Sequence, residues 1–206
     1  MQRRIRYATA FLVLLAALGT GFVLAVLGHG FSARDEPWRI EALIAPRLRA
    51  LAIPGSARHA PNPVAPSSEA LAEARAHFAD HCATCHGNDG SGETAIGRNL
   101  YPPAPDMRES RTQSLTDGEI FYIIHNGIRF TGMPAFGDGN VEADTASWKL
   151  VHFIRHLPRI GVEELRQMKE LNPKSPHELA EQRAMEQFLS GGSPPPATTD
   201  HHAHEH

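Results

Sequence analysis

Both cysteines of this 206-residue chain lie in one short run, His81-Cys82-Ala83-Thr84-Cys85-His86. Thiols at this spacing suit four chemistries: a small disulfide, a zinc site completed by His81 and His86, a redox-active thiol pair, or covalent attachment of haem. Zinc fits poorly, because structural zinc sites usually take ligands from two separate elements and no second cluster follows. A thioredoxin-like pair needs a strand-helix-strand surround, whereas the flanks here have helical patterns. In C-x-x-C-H the thiols add to haem vinyl groups and the histidine is placed to ligate the iron, so the motif favours haem.

An iron ligated by His86 on one face needs a second ligand or an open position on the other face. Met133 lies in the run Thr131-Gly132-Met133-Pro134-Ala135-Phe136-Gly137. Glycine and proline around it favour a loop that presents the thioether. Met/His ligation is the arrangement of electron-carrying cytochromes. We therefore predict Met133 as the distal ligand.

Three other methionines and one histidine are rivals for that position. Met107 follows a proline-rich loop and is the weaker alternative within the domain. Met168 and Met185 fall outside the domain at helical spacing, and we interpret them as packing residues. His125 would give bis-histidine ligation, but its place in a helix is more typical of a surface histidine.

Three helices are predicted to position these residues. The first has Ser68 as its N-cap, has apolar residues at helical spacing, and carries the cysteines at its C-terminal end. The second opens at a capping box formed by Thr116 and Glu119. The third runs from about Asp144 to Leu157. No strand pattern of useful length appears, so the predicted fold class is all-α, with long loops. Such a small domain commonly needs a covalent or metal staple, which favours haem independently of the motif.

Residues 1–33 are predicted to form an N-terminal membrane anchor. Three arginines precede an uncharged apolar run, Tyr7 to Leu27, which is about as long as a bilayer-spanning helix. The alternative is a cleaved signal peptide, although the apolar core of such peptides is usually shorter. The distribution of charge places the N-terminus inside the cytoplasm. The rest of the chain then lies on the periplasmic side of a bacterial cytoplasmic membrane, where haem is attached.

Residues 34–66 form a spacer with two parts. The first, Trp38 to Ile53, mixes apolar residues and arginines at near-helical spacing, interrupted by Pro46. It fits either a helix on the membrane surface or a short helix packed on the domain. The second, Pro54 to Pro66, has the composition of an extended Pro/Ala linker that would let the domain swing between partners.

Residues 67–158 form the predicted haem domain, which contains 7 Lys and Arg against 12 Asp and Glu. This acidic balance excludes nucleic acid as an expected partner, because phosphate binding needs a basic face.

Residues 159–190 are predicted as a C-terminal helical extension that packs either on the domain or on a partner. Residues 191–206 are predicted as a disordered tail that ends in four histidines, His201, His202, His204 and His206. That cluster fits a site for copper, nickel or zinc, a solvated tail without function, or an expression tag.

Four segments in this order resemble the monohaem class I cytochromes c, most closely the bacterial membrane-anchored type. They are the C-x-x-C-H run, the proline-rich loop 100–106, the run 126–136 that contains Met133, and the closing helix 148–157. The resemblance implies three main helices around one covalent haem c, with Phe78 against Phe153. It also implies that Pro102 or Pro103 offers its carbonyl to the other ring nitrogen of His86. Arg98 would face a haem propionate or, alternatively, be an exposed loop arginine.

These observations lead us to expect a membrane-anchored electron carrier that passes single electrons between periplasmic or membrane redox partners. A six-coordinate iron leaves no position for substrate, so no catalysis is expected of the chain alone. One alternative is a haem-bearing subunit of a larger periplasmic dehydrogenase or terminal oxidase. Another is a haem or metal sensor with an open iron site.

Overall fold

This computed structural model describes residues 2–29, 32, 35, 37–137, 139–141 and 144–191, and within them the chain consists of helices joined by loops and turns. Within these residues the α-helices in chain order are α1 (Gln2–His29), α2 (Arg39–Ala52), α3 (Gly55–Arg58), α4 (Ser68–His77), α5 (Ala83–His86), α6 (Ser110–Gln113), α7 (Asp117–Asn126), α8 (Thr145–His156), α9 (Val162–Leu171) and α10 (Pro176–Leu189). A π-helical turn, Phe78–Cys82, joins α4 to α5, and 3-10 turns lie at Gly97–Asn99 and Leu157–Arg159. No strand occurs in the described residues, which confirms the all-α prediction.

The core lies between α4, α7 and α8. Phe78 and Phe153 are both buried, with ring centroids 5.0 Å apart, so the expected contact between the first and last helices of the domain is present. Phe121 of α7 stacks on Trp148 of α8 at 4.1 Å. Burying each such ring stabilises the fold by about 1.5–3 kcal/mol. These rings hold the three helices that carry the candidate site.

The helix starts follow local capping rules, with a shift of one residue in two cases. Thr116 and Glu119 form the predicted capping box, each side chain bonded to the other's backbone N–H. The cap of α4 is Ser67 rather than Ser68, because Ser67 has the extended backbone that lets its hydroxyl accept from the Ala70 N–H at 3.0 Å. Asp144 likewise caps α8 and does not begin it.

The segment predicted as an extended Pro/Ala linker is instead packed on the domain. It contains α3, and the Thr116 hydroxyl donates to the Arg58 carbonyl at 2.7 Å. The Asn62 amide donates to the Trp148 carbonyl at 3.0 Å. The prediction of a swinging tether is therefore wrong for this segment, because its backbone polar groups are bonded to α7 and α8.

Gly118 at the start of α7 makes that packing possible. A Cβ at this position would lie 1.9 Å from the carbonyl oxygen of Ala57, a backbone atom that cannot move aside alone. We expect Gly118→Ala to lower the free energy of unfolding by about 1–3 kcal/mol, as overpacking does, and to expose residues 53–64 to protease.

Gly55→Ala is the matched control, because a Cβ there meets nothing within 4 Å. Denaturant unfolding and limited proteolysis of both variants test the expectation. Equal stability and equal cleavage of the two variants would contradict the docking of α3 on α7.

The two C-terminal helices, α9 and α10, differ in how they contact the domain. Met168 of α9 is fully buried in the core, and Glu164 bonds to His156 at 2.9 Å and to Arg75 at 3.4 Å. Thus α9 packs on the domain and Met168 is a packing residue, as predicted. No described side chain of α10 is buried, and Met185 is 59% exposed, so its interpretation as a packing residue is wrong. Apart from Gly191, the predicted tail 191–206 lies outside the described residues, and so do its four histidines.

At the N-terminus, residues Gln2–Gly28 of α1 are long and apolar enough to cross a membrane, with a mean hydropathy of 2.6 and no burial against the rest of the chain. Length and composition at this position also fit a signal sequence.

Candidate haem-binding site

The C-x-x-C-H run lies on the continuous helical segment formed by α4, the π-turn and α5. Cys82 and Cys85 are three residues apart, so the two thiols project from neighbouring positions on one side of the helix. Both are free thiols and both are partly exposed. Gly87 ends α5 with φ +72°, a conformation that favours glycine. A π-turn within an α-helix is frequent at functional sites, and here it comes directly before the thiols.

The pKa of the Cys82 thiol argues against a redox pair. Burial, with a smaller contribution from Cys85, raises the pKa of the Cys82 thiol to about 12. Redox-active cysteines depend on the opposite shift, which supplies the thiolate.

Among the described residues, no group of three or more His, Cys, Asp or Glu side chains could hold a metal ion. The zinc alternative therefore has no structural support there.

His86 is 8% exposed and points into the domain. Burial lowers its pKa to about 4, while the Pro105 carbonyl acts in the opposite direction, so the imidazole is neutral at physiological pH. Neutral imidazole is the form that ligates iron. The buried Nδ1 makes no hydrogen bond of good geometry. An iron ligand bound through Nε2 carries its proton on Nδ1 and donates it to a nearby acceptor. A buried Nδ1 without a partner, on a ring that the Pro105 carbonyl influences, fits a haem ligand.

The proline whose carbonyl acts on His86 is not one of the two that the resemblance implies. The carbonyl that acts on His86 belongs to Pro105, and neither Pro102 nor Pro103 contributes to the pKa shift of His86. The resemblance predicts a proline carbonyl in this loop, but the path of the loop decides which proline reaches the ring. Composition alone does not determine that path.

The loop after α5 is fastened back onto the motif. The Thr94 hydroxyl lies within hydrogen-bonding distance of the Thr84 and Cys85 carbonyls, at 2.9 and 3.1 Å. The Gly92 N–H donates to the His86 carbonyl at 2.8 Å. These bonds satisfy carbonyls that the end of a helix leaves free. They also hold the loop across the side of the domain where His86 is buried.

Met133 lies in a loop that folds back against the end of α7. The Ile128 N–H donates to the Met133 carbonyl at 3.0 Å, and the Met133 N–H donates to the Thr131 hydroxyl at 3.1 Å. A Cβ on Gly127 would lie 2.8 Å from the Met133 oxygen and 2.6 Å from the Pro134 carbonyl carbon, so only glycine permits this crossing. The Met133 side chain is partly exposed. A fixed backbone with an accessible thioether suits a ligand.

Met107, the rival methionine, is part of the hydrophobic core. Its backbone N–H donates to Gly90 and its carbonyl accepts from the Gln113 amide at 2.7 Å. These contacts give Met107 a packing role.

His125 is buried, contrary to the expectation of a surface histidine. It is 4% exposed, its Nδ1 lies 2.6 Å from Asp144 Oδ2, and it stacks on Phe121. The Gly137 N–H donates to the His125 carbonyl at 3.0 Å, so the same residue holds the end of the Met133 loop. Asp144 therefore joins α7 to α8 in addition to capping α8. An aspartate before an apolar helix predicts the cap, but nothing local predicts the partner 19 residues earlier.

The contact between Asp144 and His125 depends on pH through the carboxyl group of Asp144. Burial alone would raise its pKa, but hydrogen bonds from Ser147 and His125 outweigh that effect, and the pKa falls below its usual 3.8. A lowered carboxyl pKa stabilises the fold above the unfolded-state pKa and ceases to do so as pH falls through the folded-state pKa.

Asp144→Asn should therefore be less stable than the wild type by about 1–3 kcal/mol at neutral pH, with the difference shrinking below about pH 4. Asparagine keeps the cap, so the loss reports the contact with His125. Asp106→Asn removes an exposed pairing with Arg108 and should cost less than about 1 kcal/mol. Urea unfolding across pH measures both. A pH-independent difference for Asp144→Asn would contradict the assignment.

Arg98 is exposed and pairs with Glu93 at 3.3 Å on the surface. This position matches the exposed loop arginine of the two alternatives. A contact with a haem propionate stays a prediction.

Residues 69–154 match the family model described as Cytochrome C oxidase, cbb3-type, subunit III. The match begins in the first turn of α4 and ends in the last turns of α8, so it includes the motif, the loop at Pro105 and Met133. A search of curated proteins gave no match. With its helical fold and its C-x-x-C-H motif, this part of the chain is a class I c-type cytochrome domain. Such a domain carries covalent haem c and belongs either to an electron carrier or to a subunit of an oxidase.

Proposed function

We propose that the protein is a membrane-anchored cytochrome that carries single electrons between redox partners on the periplasmic side of a bacterial cytoplasmic membrane. The observation that carries the proposal is the neutral, buried His86 beside two thiols, within a domain that matches a cytochrome family. The chain contains two cysteines and therefore one C-x-x-C-H site for covalent haem c.

Each residue of the site has a defined task. Cys82 and Cys85 would hold the haem through thioether bonds, and His86 and Met133 would hold its iron. The haem supplies a reversible one-electron couple. The buried rings of Phe78 in the π-turn and Phe153 in α8 would keep water away from it. An iron held by both His86 and Met133 would transfer electrons and would offer no position for substrate.

The proposed anchor is α1. Its apolar length supports a membrane span, and the three arginines Arg3, Arg4 and Arg6 before the apolar run favour an N-terminus in the cytoplasm.

A reporter fused after Ala60 should be active only when it is folded outside the cytoplasm, and haem should sediment with membranes. Fusions of periplasmic and cytoplasmic reporter enzymes measure the topology, each serving as the control for the other. Recovery of soluble protein that begins near residues 31–34 would establish a cleaved signal peptide instead.

The second function that an observation favours is a haem-bearing subunit of a terminal oxidase. The matched family is described as an oxidase subunit, and α10 leaves apolar side chains exposed, namely Leu179, Met185, Phe188 and Leu189. Exposed apolar residues on one helix suit a contact with a partner subunit. Gentle solubilisation of the membrane followed by size separation distinguishes the two functions: a carrier migrates alone, and a subunit co-migrates with a larger haem complex.

The decisive experiment for the proposed function is a reduced-minus-oxidised optical spectrum of the membrane fraction. A c-type α band that stays with the polypeptide on a denaturing gel establishes the covalent haem. A ferric spectrum with the weak red band of iron–sulfur ligation supports Met133. Five-coordinate iron or ready binding of CO would instead favour the sensor.

A further inference from the structure

The helix α2 exposes its apolar side. Its aliphatic residues recur at i, i+3, i+4, i+8 and i+11, so they form one stripe along the helix. This stripe consists of Ile40 (69% exposed), Leu43 (54%), Ile44 (44%), Leu48 (59%) and Leu51 (78%). No residue of α2 is buried. The sequence suggests a break at Pro46, yet the helix continues through it, and the stripe is therefore continuous.

The other side of α2 is fastened to the domain by polar groups. The Arg58 guanidinium donates to the Ala50 carbonyl and also to Glu119 Oε1, the latter at 3.1 Å. The partly buried residues of α2, namely Pro46, Arg49 and Ala50, lie on the side away from the stripe. At the N-terminal end of the helix, a hydrogen bond to Glu41 raises the pKa of the Tyr101 hydroxyl to about 12. Ile53, directly after α2, is buried. These contacts fix which side of α2 faces outward.

The orientation is therefore the reverse of that in an ordinary surface helix, where the apolar side faces the core. Rotating α2 to bury the stripe would break its bonds to Arg58 and Tyr101. A continuous apolar stripe that the fold holds outward marks a contact surface.

We propose that this stripe lies in the headgroup region of the outer leaflet of the membrane that α1 spans. The inference rests on the proposed membrane anchor. Nine residues separate His29, the end of α1, from Arg39, the start of α2. They reach at most about 30 Å when fully extended, which keeps α2 close to the bilayer.

The charges of α2 suit that location. Arg47 lies on the stripe itself, and Arg39 lies at the start of the helix; both are exposed. Arginine side chains of an interfacial helix extend to anionic phosphates while their stems stay among apolar groups. Each such residue near an anionic surface strengthens the attraction of the helix to the membrane.

This docking fixes the orientation of the haem domain. Through Tyr101, α2 contacts the proline-rich loop that leads to Pro105 and His86. Through Arg58 and Glu119 it contacts the start of α7, whose other end bears the Met133 loop. The domain is thus held at the membrane in one orientation and does not swing on a tether.

Spin labelling of the full-length, haem-loaded protein in vesicles of three parts phosphatidylcholine to one part phosphatidylglycerol tests the proposal. Cys82 and Cys85 are bonded to haem in this protein, so an introduced cysteine is the only free thiol. Ile44→Cys places a label on the stripe. Ala42→Cys is the matched control, because two residues along a helix turn the label by about 200°.

The label at Ile44→Cys should collide several-fold more often with oxygen, and several-fold less often with an aqueous nickel complex, than the label at Ala42→Cys. Equal accessibility in membrane-bound protein would overturn the docking and leave the anchor intact. Dipolar coupling between labels on separate copies would also overturn it, by showing a second copy on the stripe. Soluble protein that lacks α1 would overturn the anchor and the docking together. Loss of the c-type α band in the unlabelled protein would instead count against the proposed function.

Discussion

Replacing Cys82 and Cys85 together with alanine is expected to yield a chain that holds no haem and accumulates at a small fraction of the wild-type level. The two thiols are the only cysteines and lie on the helical segment that carries His86. A domain of this size buries a limited core, so removing a large apolar group and its cross-links leaves little stability. Haem staining on denaturing gels and pulse-chase measurement of protein lifetime test the result.

His81→Ala is the matched control, because it removes a histidine from the same six-residue run. His81 is about half exposed and pairs with Asp80, so its loss should change neither haem attachment nor lifetime. Wild-type amounts of protease-resistant, haem-free double variant would show that the polypeptide core suffices. The haem would then not be the structural staple of this domain.

The features that the sequence predicts well are those that depend on neighbouring residues. The capping box of Thr116 and Glu119 has the predicted bonds, and the C-x-x-C-H run lies at the end of a helix. The contact of Phe78 with Phe153 also occurs, although 75 positions separate the two residues. It was expected only through resemblance to a family, because helical spacing identifies apolar faces without saying which faces meet.

The features that the sequence does not predict depend on contacts between distant segments. Asp144 pairs with His125 because α7 and α8 pack together, and Gly118 admits α3 because the two backbones approach closely. A Pro/Ala-rich composition predicts an extended chain only where nothing offers its backbone hydrogen bonds. Here Thr116 bonds to the Arg58 carbonyl and His152 of α8 bonds to the Val64 carbonyl.

The outward apolar stripe of α2 can be predicted from the sequence only in part. Its spacing is visible in the sequence and predicts an amphipathic helix, which then fits either the domain or the membrane surface. Only the contact of Arg58 with the Ala50 carbonyl and the partial burial of Pro46 and Arg49 show that the opposite side of the helix faces the domain. A helix can thus pack on the domain and still present an apolar side to a membrane.

Replacing Met133 with alanine is expected to keep the covalent haem and to change its electronic properties. In the proposed site, attachment depends on Cys82, Cys85 and His86, which lie on the helical segment of the π-turn and α5 and not in the Met133 loop. The weak ferric absorbance at the red end of the spectrum should disappear, because it reports sulfur bound to iron. The reduction potential should fall, since thioether ligation favours ferrous iron. The opened position should begin to bind CO. Optical spectra of both oxidation states and a redox titration measure these changes.

Two methionine variants separate ligation from packing. Met185→Ala removes the same side chain from exposed α10 and should change neither the spectrum nor the potential. Met107→Ala removes a buried core side chain and should cost about 2–5 kcal/mol of stability while the red band persists. Loss of that band in Met107→Ala, with its retention in Met133→Ala, would transfer the distal position to Met107. We expect the band to be lost in Met133→Ala and retained in Met107→Ala. The backbone bonds to Ile128 and Thr131 hold the Met133 loop in place without using the thioether, which stays available to the iron.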